Sequence, residues 1–152
     1  MNVDKGQDKV IKFYIENSIE IGEFSLEKEV NELLSEFITP YKRSFEAIKI
    51  GVILLVNNIE YRNKATKLYE KIAEILDSTY SSIYRSIRYS LDVAYWQGRL
   101  KNKSIGEYKF IEPQTKPTPF EFMNMIREQI STKMNRCFVA KSKALKGGDV
   151  IG

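Results

Sequence analysis

Between Ala47 and Val56 the chain is apolar almost without interruption, through Ala47, Ile48, Ile50, Val52, Ile53, Leu54, Leu55 and Val56. Set on a helix from Tyr41 to about Asn58, these side chains point nearly all round the axis and leave little face for water. A helix of that kind is enclosed by other elements, so the segment is expected to be the hub of the core. The run is far short of the roughly 20 residues that cross a bilayer. Gly51 inside it costs about 1 kcal/mol relative to alanine, which points to a close helix crossing or a local break at that position. With 152 residues, the chain can bury one core and is too short for two full-sized domains with a linker.

The segments around the hub read mainly as helices. Asp8 to Ile21 is ambiguous: Val10, Ile11, Tyr14 and Ile15 suit a helix, whereas Phe13, Ile15, Ile19 and Ile21 suit the alternation of a strand. Gly22 breaks the segment, and Ser25 opens a helix whose apolar residues Leu26, Val30, Leu33, Leu34 and Phe37 step by three and four, with Pro40 as its stop. A shorter helix is expected from Ala65 or Thr66 to Leu76, with Leu68, Ile72, Ile75 and Leu76 inside. After Gly98 comes a polar connector, in which Tyr108, Phe110 and Ile111 form a short extended piece. Thr118 or Pro119 starts the last helix, with Phe122, Met125, Ile126 and Ile130 as its apolar stripe. Phe120, Met123 and Met125 are expected to fill the core. Lys141 to Gly152 has little to bury and reads as a mobile tail.

Asp77 to Gly98 carries the most functional signal. Asp77, Ser78 and Thr79 are successive N-cap candidates, Gly98 supplies a stop, and no proline or glycine stands between. Ile83, Ile87, Ser90, Leu91 and Ala94 fall on one stripe, while Ser81, Ser82, Arg85, Arg88, Tyr89 and Asp92 fall on or beside the opposite one. A three-turn helix, a short turn and a second helix with surface arginines is the order of a helix-turn-helix unit. Any helical bundle contains such pairs, and on the residues alone Arg85 and Arg88 read as a solvated face more than as a binding one. The aromatic residues Tyr80, Tyr84, Tyr89, Tyr95 and Trp96 are spaced around the whole helix, a pattern of core and rim packing more than of base stacking.

Charge is unevenly distributed. The formal net charge is +4, yet acids crowd the start, at Glu16, Glu20, Glu23, Glu27, Glu29 and Glu32. From Arg85 to Lys103 the only acid is Asp92, against Arg85, Arg88, Arg99, Lys101 and Lys103. One end is therefore basic, as a polyanionic partner requires. The chain has no histidine and one cysteine, Cys137, which removes the commonest general base, internal disulfides and thiolate-cluster metal sites. Carboxylate pairs such as Glu27 with Glu29 or Glu70 with Glu74 sit at ordinary helix-surface positions beside lysines, and no glycine-rich phosphate loop occurs. The expectation is a cytoplasmic protein, without a signal peptide, that is not an enzyme and takes no cofactor or metal.

A family resemblance enters at Leu68, Tyr69, Ile72, Ala73, Thr79, Ser81, Arg85, Ile87, Arg88, Val93, Ala94 and Gly98, followed by Lys116, Pro117, Thr118, Glu121 and Phe122. Two motifs in this order, with a fainter echo at Tyr41, Glu46, Ala47 and Ile48, resemble the C-terminal DNA-binding domain of the stage-zero sporulation protein A family of response regulators. The likeness spans roughly Pro40 to Ile130. It implies a compact all-α domain of five to six helices whose long helix enters the major groove of double-stranded DNA, with tandem copies or a homodimer on DNA and RNA polymerase as a further partner. Arg85 and Arg88 match the family's two arginines on that helix. Ser82, Tyr84 and Tyr89 stand where the family has an arginine, a glutamate and a histidine, so a changed base preference is expected.

The residues expected to face bases are therefore Ser81, Ser82, Tyr84, Arg85, Arg88 and Tyr89, and those expected to hold phosphates are Lys64, Thr66, Arg99, Lys101 and Lys116. Residues 1–39 form an acidic amphipathic segment packing on or preceding the domain, 40–135 the helix-turn-helix domain and 136–152 a basic tail. The leading segment leaves no room for the family's phosphate-accepting receiver. The altered reading face also fits a second role, an adaptor or antagonist that keeps the fold and has lost DNA affinity.

Overall fold

The structure, a computed structural model, describes residues 5–40, 43–100, 104–105, 108–109 and 116–151. Its elements run α1 (Lys5–Glu16), β1 (Glu20–Ile21), β2 (Phe24–Ser25), α2 (Leu26–Leu34), α3 (Arg43–Asn57), a 3-10 turn (Ile59–Asn63), α4 (Ala65–Ile75), α5 (Tyr80–Trp96), β3 (Ser104–Ile105), β4 (Tyr108–Lys109) and α6 (Pro119–Ile151). The fold is all-α, with six α-helices among the described residues and two short antiparallel hairpins, β1–β2 and β3–β4. No helix of the described residues is long and apolar enough to cross a membrane.

The apolar helix is the hub. From Ala47 to Val56 every residue of α3 is buried, and α2, α4, α5 and α6 all pack on it. At Gly51 the helix crossing is close: a Cβ there would lie 2.6 Å from Met123 Sδ of α6 and 3.0 Å from Ile72 Cδ1 of α4. Burial of Met123, with Phe122, Ile126 and Ile130, makes the first half of α6 the hub's largest neighbour. That helix begins in a reciprocal capping box. Thr118 Oγ1 accepts from the Glu121 amide and Glu121 Oε1 accepts from the Thr118 amide, each at 3.1 Å, with Pro119 at the first helical position.

The acidic leading residues share this core. Phe13, Phe24, Leu26, Val30 and Leu34 are buried in it. Polar ties reinforce the contact: the Tyr14 hydroxyl donates to Glu46 Oε1 at 2.7 Å, and buried Lys49 Nζ meets Glu27 Oε1 at 2.9 Å while lying 4.5 Å above the Tyr14 ring. The helical reading of residues 8–21 holds as far as Glu16, and of the residues that suited a strand only Ile21 enters one. Lys5–Glu16 is helical, and Ile21 then pairs with Phe24 across a two-residue turn with Gly22 at φ +60°.

Two elements end elsewhere than their sequences indicate. Helix α2 stops at Leu34 rather than at Pro40, because its last turn tightens: the Glu36 amide donates to Leu33 and the Phe37 amide to Leu34. That turn buries both Phe37 and Ile38, and Phe37 meets Phe122 edge-on at 5.7 Å. Helix α6 continues to Ile151 through residues read as a mobile tail. No proline interrupts them, and extending a helix already nucleated needs only one new hydrogen bond per residue.

Candidate nucleic-acid interface

The turn between α4 and α5 is fixed by backbone geometry. Asp77 takes the left-handed conformation, φ +53°, and the amides of Asp77 and Ser78 return to the carbonyls of Glu74 and Ala73 at 3.3 and 2.8 Å. This closes α4 in a Schellman motif, with an aspartate where glycine is usual. Of the three N-cap candidates Thr79 is the one used, its Oγ1 accepting from the Ser82 amide at 3.1 Å. The far end repeats the device. Gly98, at φ +73°, turns the chain so that the Arg99 amide bonds the Ala94 carbonyl at 2.8 Å.

Between these stops α5 presents four faces. Ile83, Ile87, Leu91 and Ala94 are buried against the hub. Ser81, Ser82, Arg85, Arg88 and Tyr89 are all exposed on the outward side, so the structure brings five of the six expected base-facing residues together. Tyr84 is placed apart from them. It is half-buried on the α4 flank, edge-on to Tyr69 at 5.5 Å and stacked parallel to Tyr80 at 6.4 Å. Tyr69, edge-on to Tyr80 as well, has its hydroxyl pKa pushed well above the ordinary tyrosine range, by burial first and then by its two tyrosine neighbours.

The phosphate candidates are distributed differently. Lys64 and Thr66 are exposed at the start of α4. Arg99 is half-buried beside the C-terminal end of α5, and Lys101 lies outside the described residues. Lys116 is held in an ion pair with Asp92 of α5 and lies 5.9 Å over the exposed Trp96 ring. The pair offsets the one acid in the basic stretch of α5. Only the fold reveals it, since the two residues stand 24 positions apart.

The fourth face of α5 looks into a cleft of about 650 Å³, walled by Ser86, Tyr89, Ser90, Val93 and Gln97 on one side and by Thr39, Arg43 and Ser44 on the other. At its base the Ser90 hydroxyl donates to Ser44. Arg43 opens α3, 42 positions before Arg85, and no local pattern in the sequence connects it with α5. Among the described residues no group of three His, Cys, Asp or Glu side chains is placed to hold a metal ion.

Residues 30–130 match the family described as Sporulation initiation factor Spo0A C terminal. The chain belongs to that family. The match opens inside α2 and closes at Ile130, the last buried residue of α6 among the described side chains. It takes in the whole α4–α5 pair and the hub. The family is a DNA-binding one that serves transcription regulation in sporulation, and it is not a family of enzymes. Helix α5 follows α4 and packs on it, the helix-turn-helix order expected from the sequence.

Proposed function

We propose that this domain is a sequence-specific transcription regulator that lays α5 in the major groove of double-stranded DNA. The observation that carries this reading is the outer face of α5, where Ser81, Ser82, Arg85, Arg88 and Tyr89 stand exposed together while the one acid within α5, Asp92, is ion-paired. Arg85 sits at mid-face and offers guanine O6 and N7 two parallel hydrogen bonds. Arg88, one turn on, reads a second base or holds a phosphate. Tyr84, packed on Tyr69, serves mainly to seat α5 on α4. Lys64 and Thr66 meet the backbone where α4 begins and Arg99 where α5 ends, Lys101 is a further phosphate contact by its place in the sequence, and Lys116 acts by restraining Asp92. On DNA the domain binds as tandem copies or a homodimer and contacts RNA polymerase.

Selection of bound duplexes from a random DNA pool, with the recovered site titrated at several salt concentrations, tests this. A recovered site and a log-linear fall of affinity with salt are expected, because each neutralised phosphate releases counterions. No enrichment and no salt-dependent binding would leave the second reading, a protein-interaction adaptor or antagonist. That reading draws on Tyr89 and Trp96, 66% and 70% exposed on α5, since large accessible aromatics are also what protein interfaces use.

A further inference from the structure

A helix with its side chains is about 10–12 Å across, and the major groove is about 12 Å wide. A helix seated there therefore has a sugar–phosphate backbone along each flank. One flank of α5 is taken by α4, through the Tyr69, Tyr80 and Tyr84 contacts, with Lys64 and Thr66 exposed at the near end. The opposite flank is the 650 Å³ cleft.

Two guanidiniums line that cleft from different elements. Arg43 comes from the first turn of α3, and Arg99 is turned back by the left-handed Gly98. Neither is paired with a carboxylate among the described residues, although Lys49, Lys116 and Lys133 all are. Ser86 and Gln97 add a hydroxyl and an amide on the α5 wall. Two arginines with neutral donors in the same cleft match a phosphate group, whose oxygens accept parallel N–H bonds from a guanidinium. A base edge offers no such concentration of acceptors.

We propose that this cleft is a phosphodiester site, taking the DNA backbone on the flank of α5 away from α4, with Arg43 and Arg99 as its cations. The assignment rests on the major-groove reading and extends it to Arg43, in a helix otherwise given over to the core. Base-facing and backbone-holding residues are then continuous around α5, with Tyr89 at the lip between them.

The test titrates the selected duplex and a scrambled one with the full chain and with Arg43→Ala, Arg99→Ala and the double variant, at several salt concentrations. Each single change is expected to weaken both duplexes by the same several-fold factor and to lower the salt slope by about 1, the double by about 2, with base preference unchanged. Binding by the double variant with wild-type affinity and slope overturns the cleft and leaves α5 untouched. A sequence-selective loss overturns its assignment to phosphate. Should the wild-type chain bind no duplex, the major-groove reading fails, and inorganic phosphate titrated into the same proteins tests the cleft separately. Saturating shifts of the Ser86, Ser90 and Gln97 amides that vanish in the double variant keep it as a site for a free phosphorylated ligand; no shifts overturn it.

Discussion

Tyr84 and Arg85 are neighbours in the chain, yet α5 turns them roughly a quarter of a circle apart, and that rotation separates a packed ring from an exposed guanidinium. Arg85 is exposed on the outer face, and Tyr84 has its ring against Tyr69. Arg85→Ala is expected to cost about 1–3 kcal/mol on the preferred duplex and to flatten preference at one base pair. Unchanged affinity and preference would remove Arg85 from the interface. Tyr84→Phe keeps the ring contacts and removes only the hydroxyl, so it is expected to leave base preference as it was. A changed preference in the same titration would return Tyr84 to the reading face. The sequence marked both residues as base-facing, because the family's reading positions were carried over one by one. Which of them a neighbouring helix covers depends on α4, whose contribution, Tyr69, is not visible in the periodicity of α5.

At the scale of elements, α3 crosses α4 and α6 closely at Gly51, where the sequence pointed to a close crossing or a local break. Gly51 is the only glycine in the hub, and a Cβ there would press on Met123 Sδ and Ile72 Cδ1, both from fully buried residues. Gly51→Ala gains about 1 kcal/mol of helix propensity, against about 1–3 kcal/mol for overpacking a close-packed core. The expected outcome is a net loss, read as a lower urea midpoint with an unchanged m-value. A raised midpoint would show that Met123 yields at no cost. The hub, the α4–α5 boundaries and the start of α6 were all legible, since each depends on local chemistry: apolar periodicity, a hydroxyl cap, a proline at the first turn. The cleft was not, because Arg43 and Arg99 line it from elements far apart in the chain that only the packing of α5 on α3 brings together. The same holds for the Lys116–Asp92 pair, whose partners come from opposite ends of the connector.

Across the whole molecule, a half-buried tyrosine, Tyr14, and a buried one, Tyr69, join neighbouring layers. Tyr14 links α1 to the hub through Glu46, and Tyr69 links α4 to α5 through Tyr80 and Tyr84. Both hydroxyls are held well above the ordinary tyrosine pKa, Tyr14 by burial and then by the hydrogen bond and charge of Glu46, Tyr69 by burial and then by its tyrosine neighbours. In the unfolded chain each ionises near its unperturbed value of about 10. Above that pH the unfolded chain has released protons that the folded chain keeps, so stability falls as pH rises, whereas below about pH 10 the two states carry the same protons and nothing is lost. Urea unfolding of the wild-type chain between pH 8 and 11 is therefore expected to show a declining alkaline limb. Tyr14→Phe lowers stability at every pH by losing the hydrogen bond to Glu46, so its level is uninformative; its slope is not. With one titrating group removed, the Tyr14→Phe limb declines less steeply than the wild-type limb, and Tyr14→Phe with Tyr69→Phe less steeply again. Limbs parallel to the wild type in both variants would mean that these hydroxyls ionise alike in the folded and unfolded chain, and that the layers are joined by packing alone.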